Sequence, residues 1–123
     1  MTASTGVVTR TDSRGSGYKR EVWESITVFS LISGDTTGAA TIPFNGVLQK
    51  IIIKLSDMES AEGTTDVSLT DGGDNTIFSV TDLPQSVTYL YSVSEPFFDE
   101  INIILGFTDP AAAATVTVTL RGI

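Results

Sequence analysis

From Glu21 onward, large apolar side chains alternate with small polar ones at a two-residue period, the repeat of a strand with one buried face. Segment 22–32 (VWESITVFSLI) is dense in β-branched and aromatic residues. The cluster Ser33-Gly34-Asp35-Thr36-Thr37-Gly38 ends it as a loop. Segment 39–44 is a short strand, with Pro43 marking an edge or an end, since proline donates nothing to a ladder. Asn45-Gly46 predicts a tight hairpin leading into segment 47–55. There Val47, Gln49, Ile51, Ile53 and Leu55 share one face, and Leu48, Lys50, Ile52 and Lys54 share the other, which mixes apolar and charged groups and is expected to be half-buried.

Segment 57–63 is a polar loop, 67–69 a short strand, Asp71-Gly72-Gly73-Asp74-Asn75 a tight turn and 77–80 the strand returning from it. Leu83-Pro84 and Glu95-Pro96 read as breaks on either side of 86–93, whose Val87, Tyr89, Tyr91 and Val93 point to the core. Ile101, Ile103, Leu105 and Phe107 form another inward set. Asp109-Pro110 and four alanines make a loop before 115–120 (TVTVTL), with Val116, Val118 and Leu120 pointing in. No helical periodicity extends beyond about two turns. The expected fold is all-β: a two-sheet antiparallel sandwich of about eight strands, jelly-roll-like, with an immunoglobulin-like sandwich as the alternative.

Residues 1–19 read differently. They are rich in Ser, Thr and Gly and poor in large apolar groups, which predicts an extended N-terminal arm preceding a sandwich over 20–123. Val7 and Val8 suit addition to the edge of a partner's sheet. The formal net charge of −8 is split along the chain: residues 1–20 hold Arg10, Arg14, Lys19 and Arg20 against Asp12, whereas the remainder holds Lys50, Lys54 and Arg121 against 14 acids. An acidic body repels nucleic acid and membrane surfaces. The basic arm suits an acidic protein partner or phosphates; equally, its charges keep a tail solvated. At 123 residues the chain suits one domain that buries roughly two-thirds of its unfolded surface. Neither apolar run, Ile51-Ile52-Ile53 or Ile103-Ile104-Leu105, approaches the roughly 20 residues of a membrane helix. The N-terminal stretch lacks the apolar run of a secretory signal.

Chemistry is sparse. The chain contains no Cys and no His, which removes disulfides, thiolate sites, the commonest general base and the commonest metal ligand. Lys50 and Lys54 alone offer a lysine base, and both sit in an ordinary strand alternation. Glu95, Asp99 and Glu100, or Glu21 and Glu24, offer paired carboxylates of the glycosidase type, but they read more simply as solvated loop and edge residues. Asp71, Asp74 and Asn75, with Asp57, Glu59 and Glu62, offer oxygen ligands for calcium, yet the glycines between them fit a turn better. Trp23, Tyr18, Tyr89 and Tyr91 are candidates for a sugar-stacking platform, against a core role for the two strand tyrosines. The expectation is a non-enzymatic module that carries no metal or cofactor.

The stretches TGVVTRTDSRGSGYKREVWESITV, GDTTGAATIPFNGVLQKIIIKLSDM and TVTVTLRGI resemble small structural proteins of tailed phages, in particular capsid decoration (cement) proteins. The resemblance covers most of the chain in style and carries no diagnostic motif or catalytic set. It implies a virion protein on the capsid surface, assembled in the host cytoplasm, forming a homo-oligomer with a trimer favoured, and stabilising the shell by bridging copies of the major capsid protein. Residues Val7, Val8, Arg10, Arg14, Tyr18, Lys19 and Arg20 would then make the capsid contact. A carbohydrate-binding or other tail or head–tail module is the alternative.

Overall fold

The computed structural model describes the backbone of residues 7–16, 21–34, 36–57, 63–110 and 113–123, and the side chains of those from Trp23 onward. Nine strands lie among them: β1 (Val7–Ser16), β2 (Glu21–Leu31), β3 (Thr37–Pro43), β4 (Gly46–Leu55), β5 (Thr64–Thr70), β6 (Thr76–Pro84), β7 (Thr88–Phe97), β8 (Glu100–Phe107) and β9 (Ala114–Gly122). They form a five-stranded sheet, β1-β2-β9-β4-β7, and a four-stranded sheet, β3-β8-β5-β6.

The pairing is nested. β5 pairs with β6, β4 with β7, β3 with β8 and β2 with β9, all antiparallel. The chain thus resembles one long hairpin, turning at 71–75, rolled so that successive strand pairs fall in alternate sheets. β4·β9 and β5·β8 contacts sew the rolled pairs together. This is a jelly roll, so the sandwich expected from alternation is the one observed, with β1 as an added edge.

The inward faces interlock as the two-residue period requires. Ile51, Ile53, Val116, Val118 and Leu120 from one sheet, and Ile42, Val67, Leu69, Ile101 and Ile103 from the other, are fully buried. The end of the sandwich beside the C-terminus is plugged by Trp23 and Phe44, with ring centroids 4.4 Å apart, and by Phe97 at 6.4 Å from Phe44. Trp23 therefore packs inside. Gly122 lies in this plug, where an added Cβ would strike Val47 O and the Phe44 ring.

Several local expectations change. Residues 7–16, expected within an extended arm outside the sandwich, pair in continuous register with β2 from Val7 opposite Ser30 to Ser16 opposite Glu21. Edge pairing draws on backbone hydrogen bonds, which any non-proline sequence supplies, so the lack of large apolar side chains does not prevent it. Asn45-Gly46 is not a hairpin, because β3 and β4 belong to different sheets. It is a corner between sheets: Asn45 Oδ1 accepts a hydrogen bond from Asp99 N at 2.9 Å, and Gly46, at φ 151°, leaves room for Ile123 O.

The faces of β4 also differ from the simple alternation. The ladder shifts between Leu48 and Lys50, placing two residues opposite Arg121 of β9. Such a bulge flips parity: Leu48 is buried, while Val47 is half-buried and Gln49 exposed. Finally, β6 runs to Pro84 and β7 runs through Pro96. Both are edge strands, where a missing N–H faces outward and costs no ladder bond.

Candidate binding surfaces

The turns 44–45, 71–75 and 98–99 come together at one end of the sandwich. Phe44 N donates to Asp99 O at 3.0 Å, and Asn102 Nδ2 donates to Asp71 O at 3.2 Å. Between the 71–75 turn and the 98–99 turn lies an open depression of about 440 Å³, lined in part by Asp71, Asn75, Phe98, Asp99 and Glu100. Phe98 stands at its rim with 78% of its surface exposed. Asp99 and Glu100 therefore do meet in a concavity, whereas Glu95 is on β7 opposite Leu48.

The Asp71 carboxylate is spent on its own turn. It accepts hydrogen bonds from Gly73 N and Asn75 N, both at 2.9 Å, and from Asn75 Nδ2 at 3.1 Å. These bonds favour the ionised form, those from Asn75 foremost, and lower its pKa from the ordinary 3.8. The arrangement is what an Asx turn requires. Among the described residues no three of His, Cys, Asp and Glu cluster as metal ligands.

The other candidate groups have structural placements. Glu24 accepts from Arg121 Nε at 2.7 Å across β2 and β9. Lys50 and Lys54 stand on the solvent side of the five-stranded sheet, Lys50 Nζ lying 3.5 Å from Ser92 Oγ. Tyr89 and Tyr91 are half-buried against the core instead of fully inside it, because β7 is an edge. Tyr89 donates its hydroxyl proton to Pro84 O at 2.9 Å, and Tyr91 meets Phe78 edge-on with centroids 5.1 Å apart. Burial, then the neighbouring Tyr89, raises the pKa of Tyr91 above 10.0.

Of the residues expected to touch a capsid, Val7, Val8, Arg10 and Arg14 fall on β1, the edge strand of the five-stranded sheet among the described residues, in register with Ser30, Phe29, Thr27 and Trp23 of β2. Tyr18, Lys19 and Arg20, like Glu59 and Glu62, lie outside the described residues. The sequence reading missed Phe98. Its signal was the Phe97-Phe98 pair: neighbours in a strand point to opposite faces, so one of the two rings had to face outward.

No protein-family model matches the chain, and no curated protein matches it. Solved structures do. A Bacillus endospore appendage protein, of a family described as disulfide-linked pili, is 14% identical over 97% of this chain and 90% of that one, with a TM-score of 0.50. A carbohydrate-binding module of a multidomain xylanase from the hindgut metagenome of Trinervitermes trinervoides is 13% identical over 95% and 98%, with a TM-score of 0.46. The enzymatically active domain of a bacteriophage CBA120 tailspike protein is 10% identical over 99% of this chain but 18% of that one, with a TM-score of 0.40. At such identities the likeness is one of fold, and the appendage protein carries it. The disulfide link named for the appendages has no counterpart here, because this chain contains no cysteine.

Proposed function

We propose that the chain is a non-catalytic structural protein of a virus particle that decorates the capsid by binding the lattice of the major capsid protein. The observation that carries this reading is the partition of charge on a rigid jelly roll. Residues 1–20 hold four of the seven cations, and the strand bearing Arg10 and Arg14 is an edge of its sheet among the described residues. A free edge accepts a further strand through backbone hydrogen bonds, and cations beside it steer it to an acidic surface. A single short edge gives a weak grip, and assembly of several copies multiplies it through effective concentration.

The test is co-sedimentation with shells built from the major capsid protein alone. Reversing Arg10, Arg14, Lys19 and Arg20 to Glu is expected to abolish binding while leaving the thermal transition in place. Undiminished binding by that variant would overturn the reading.

A second reading, carbohydrate binding on a virion, is favoured by one observation: Phe98 projects beside the Asp99 and Glu100 carboxylates at the rim of a depression. Aromatic faces and carboxylates suit the apolar and hydroxyl faces of a sugar. Under that reading Phe98→Ala abolishes retention on an immobilised glycan and leaves capsid binding untouched; the basic-edge variant does the reverse.

A further inference from the structure

Every cation outside residues 1–20 stands on one face of the molecule. Lys50 and Lys54 on β4 and Arg121 on β9 occupy the solvent side of the five-stranded sheet, where Glu24 is the only carboxylate among the described side chains. Three transverse rows cross this face in register. The middle row is Ile26, Thr119, Ile52 and Leu90, with Leu90 62% exposed. One flanking row is Glu24, Arg121, Lys50 and Ser92; the other is Val28, Thr117, Lys54 and Thr88. The face is therefore an apolar bar between two cationic rows.

The opposite face has the opposite sign of charge. On the solvent side of the four-stranded sheet, Ala39, Ile104, Ser68 and Ser79 form the middle row, with Ile104 45% exposed. Asp66 lies one row to one side and touches β6 by accepting a hydrogen bond from Asp82 N at 2.8 Å. Glu100 lies toward the other side, on the same strand as Ile104. No Lys or Arg is found on this sheet.

We infer that a second copy of this chain docks its acidic four-stranded face onto the cationic five-stranded face. Charge selects the occupant. Two cationic faces would oppose lysine to lysine, and two acidic faces would oppose carboxylate to carboxylate, whereas one of each brings the exposed Ile104 to the apolar bar and cation to acid. The two faces lie on opposite sides of the sandwich, so the contact is heterologous and leaves a free face at each end. It repeats as a stack and does not close into a ring of three. This inference shares with the capsid reading only the premise that copies assemble. It is tested on pure protein, so it stands or falls separately from capsid binding.

The experiment is sedimentation velocity of the full chain over a range of concentrations at about 0.15 M salt, where a Debye length of about 8 Å damps the long-range repulsion between acidic copies. An open series of oligomers is expected. The double variants Lys50→Glu/Lys54→Glu and Glu100→Lys/Ile104→Lys are each expected to associate at least about 100-fold more weakly, with unchanged circular dichroism. Mixing them restores association, because each retains the face the other has lost. Leu90→Ser, at an exposed edge position, is expected to weaken association about tenfold and serves as the variant least able to disturb the fold. A parent chain that stays monomeric to about 1 mM, a double variant that associates like the parent, a mixture that does not associate, or a closed trimer as the end state would overturn the inference.

Discussion

Inside this jelly roll most inward positions are apolar, and those that are not stand out. Thr65 on β5 is fully buried and its hydroxyl has no hydrogen-bond partner among the described residues. It faces Leu83 of β6 and Phe107 of β8 in register. A buried unpaired hydroxyl costs about 1–3 kcal/mol, and valine has the same shape. Thr65→Val is therefore expected to raise the thermal midpoint by about 2–8 °C, read by calorimetry; a lower midpoint would mean that the hydroxyl has a partner. Asp71 presents the opposite case. Its carboxylate holds the hinge turn of the rolled hairpin, and its pKa is lowered by that work. A lowered folded-state pKa contributes stability above the unfolded value, and the contribution is lost as pH falls through the folded value. Asp71→Ala is expected to lower the thermal midpoint at pH 7, with the gap to the parent narrowing below about pH 4. A gap independent of pH would contradict the Asx-turn account.

At the scale of elements, the strands most legible in the sequence are those with uninterrupted alternation: β8 and β9. Their inward residues are those the period picks out, from Ile101 through Leu105 to Val118, whereas β2 buries Ser25 and Thr27 and leaves Ile26 and Val28 half-buried on its solvent side. Alternation fails where the backbone adds a residue. The bulge in β4 moves Leu48 inward and Gln49 outward, and no side-chain pattern announces it, because a bulge is settled by the neighbouring strands. Proline misleads for a related reason. Pro84 and Pro96 look like breaks, yet each sits on an edge strand whose outer N–H has no ladder partner to lose. Edge status is a property of strand order, and strand order is not written in the local pattern. β1 is the clearest instance: nothing apolar enough to fold by itself, but paired residue for residue with β2. Hydrogen exchange should follow this hierarchy. Amides of the central strands β9 and β4 are expected to exchange only through global unfolding, and those on the outer side of β7 much sooner. Uniform protection across the five strands would contradict the sheet order.

For the whole molecule, the nested pairing makes nearly every stabilising contact long-range: Trp23 meets Gly122, and Ile42 meets Ile101. Such a topology folds slowly, on about the millisecond-to-second scale, and holds its C-terminal strand firmly once formed, since β9 is clamped between β2 and β4 from the other half. Val47 N and Ile123 N exchange hydrogen bonds with each other's carbonyls at 2.8 and 3.0 Å. A body of this kind presents fixed faces and edges. Fold class and the separation of a basic leader from an acidic body were open to the sequence reading. The clustering of Lys50, Lys54 and Arg121 on one face, and the meeting of Phe98 with Asp99 and Glu100 at a turn, required the register of strands far apart in the chain. The most direct test of the capsid account is cryogenic imaging of shells assembled from the major capsid protein and then incubated with this chain. The account predicts added density on the outer surface at repeated lattice positions, with the basic edge strand against the shell. Bare shells at saturating concentration, or density on the tail and none on the shell, would contradict it.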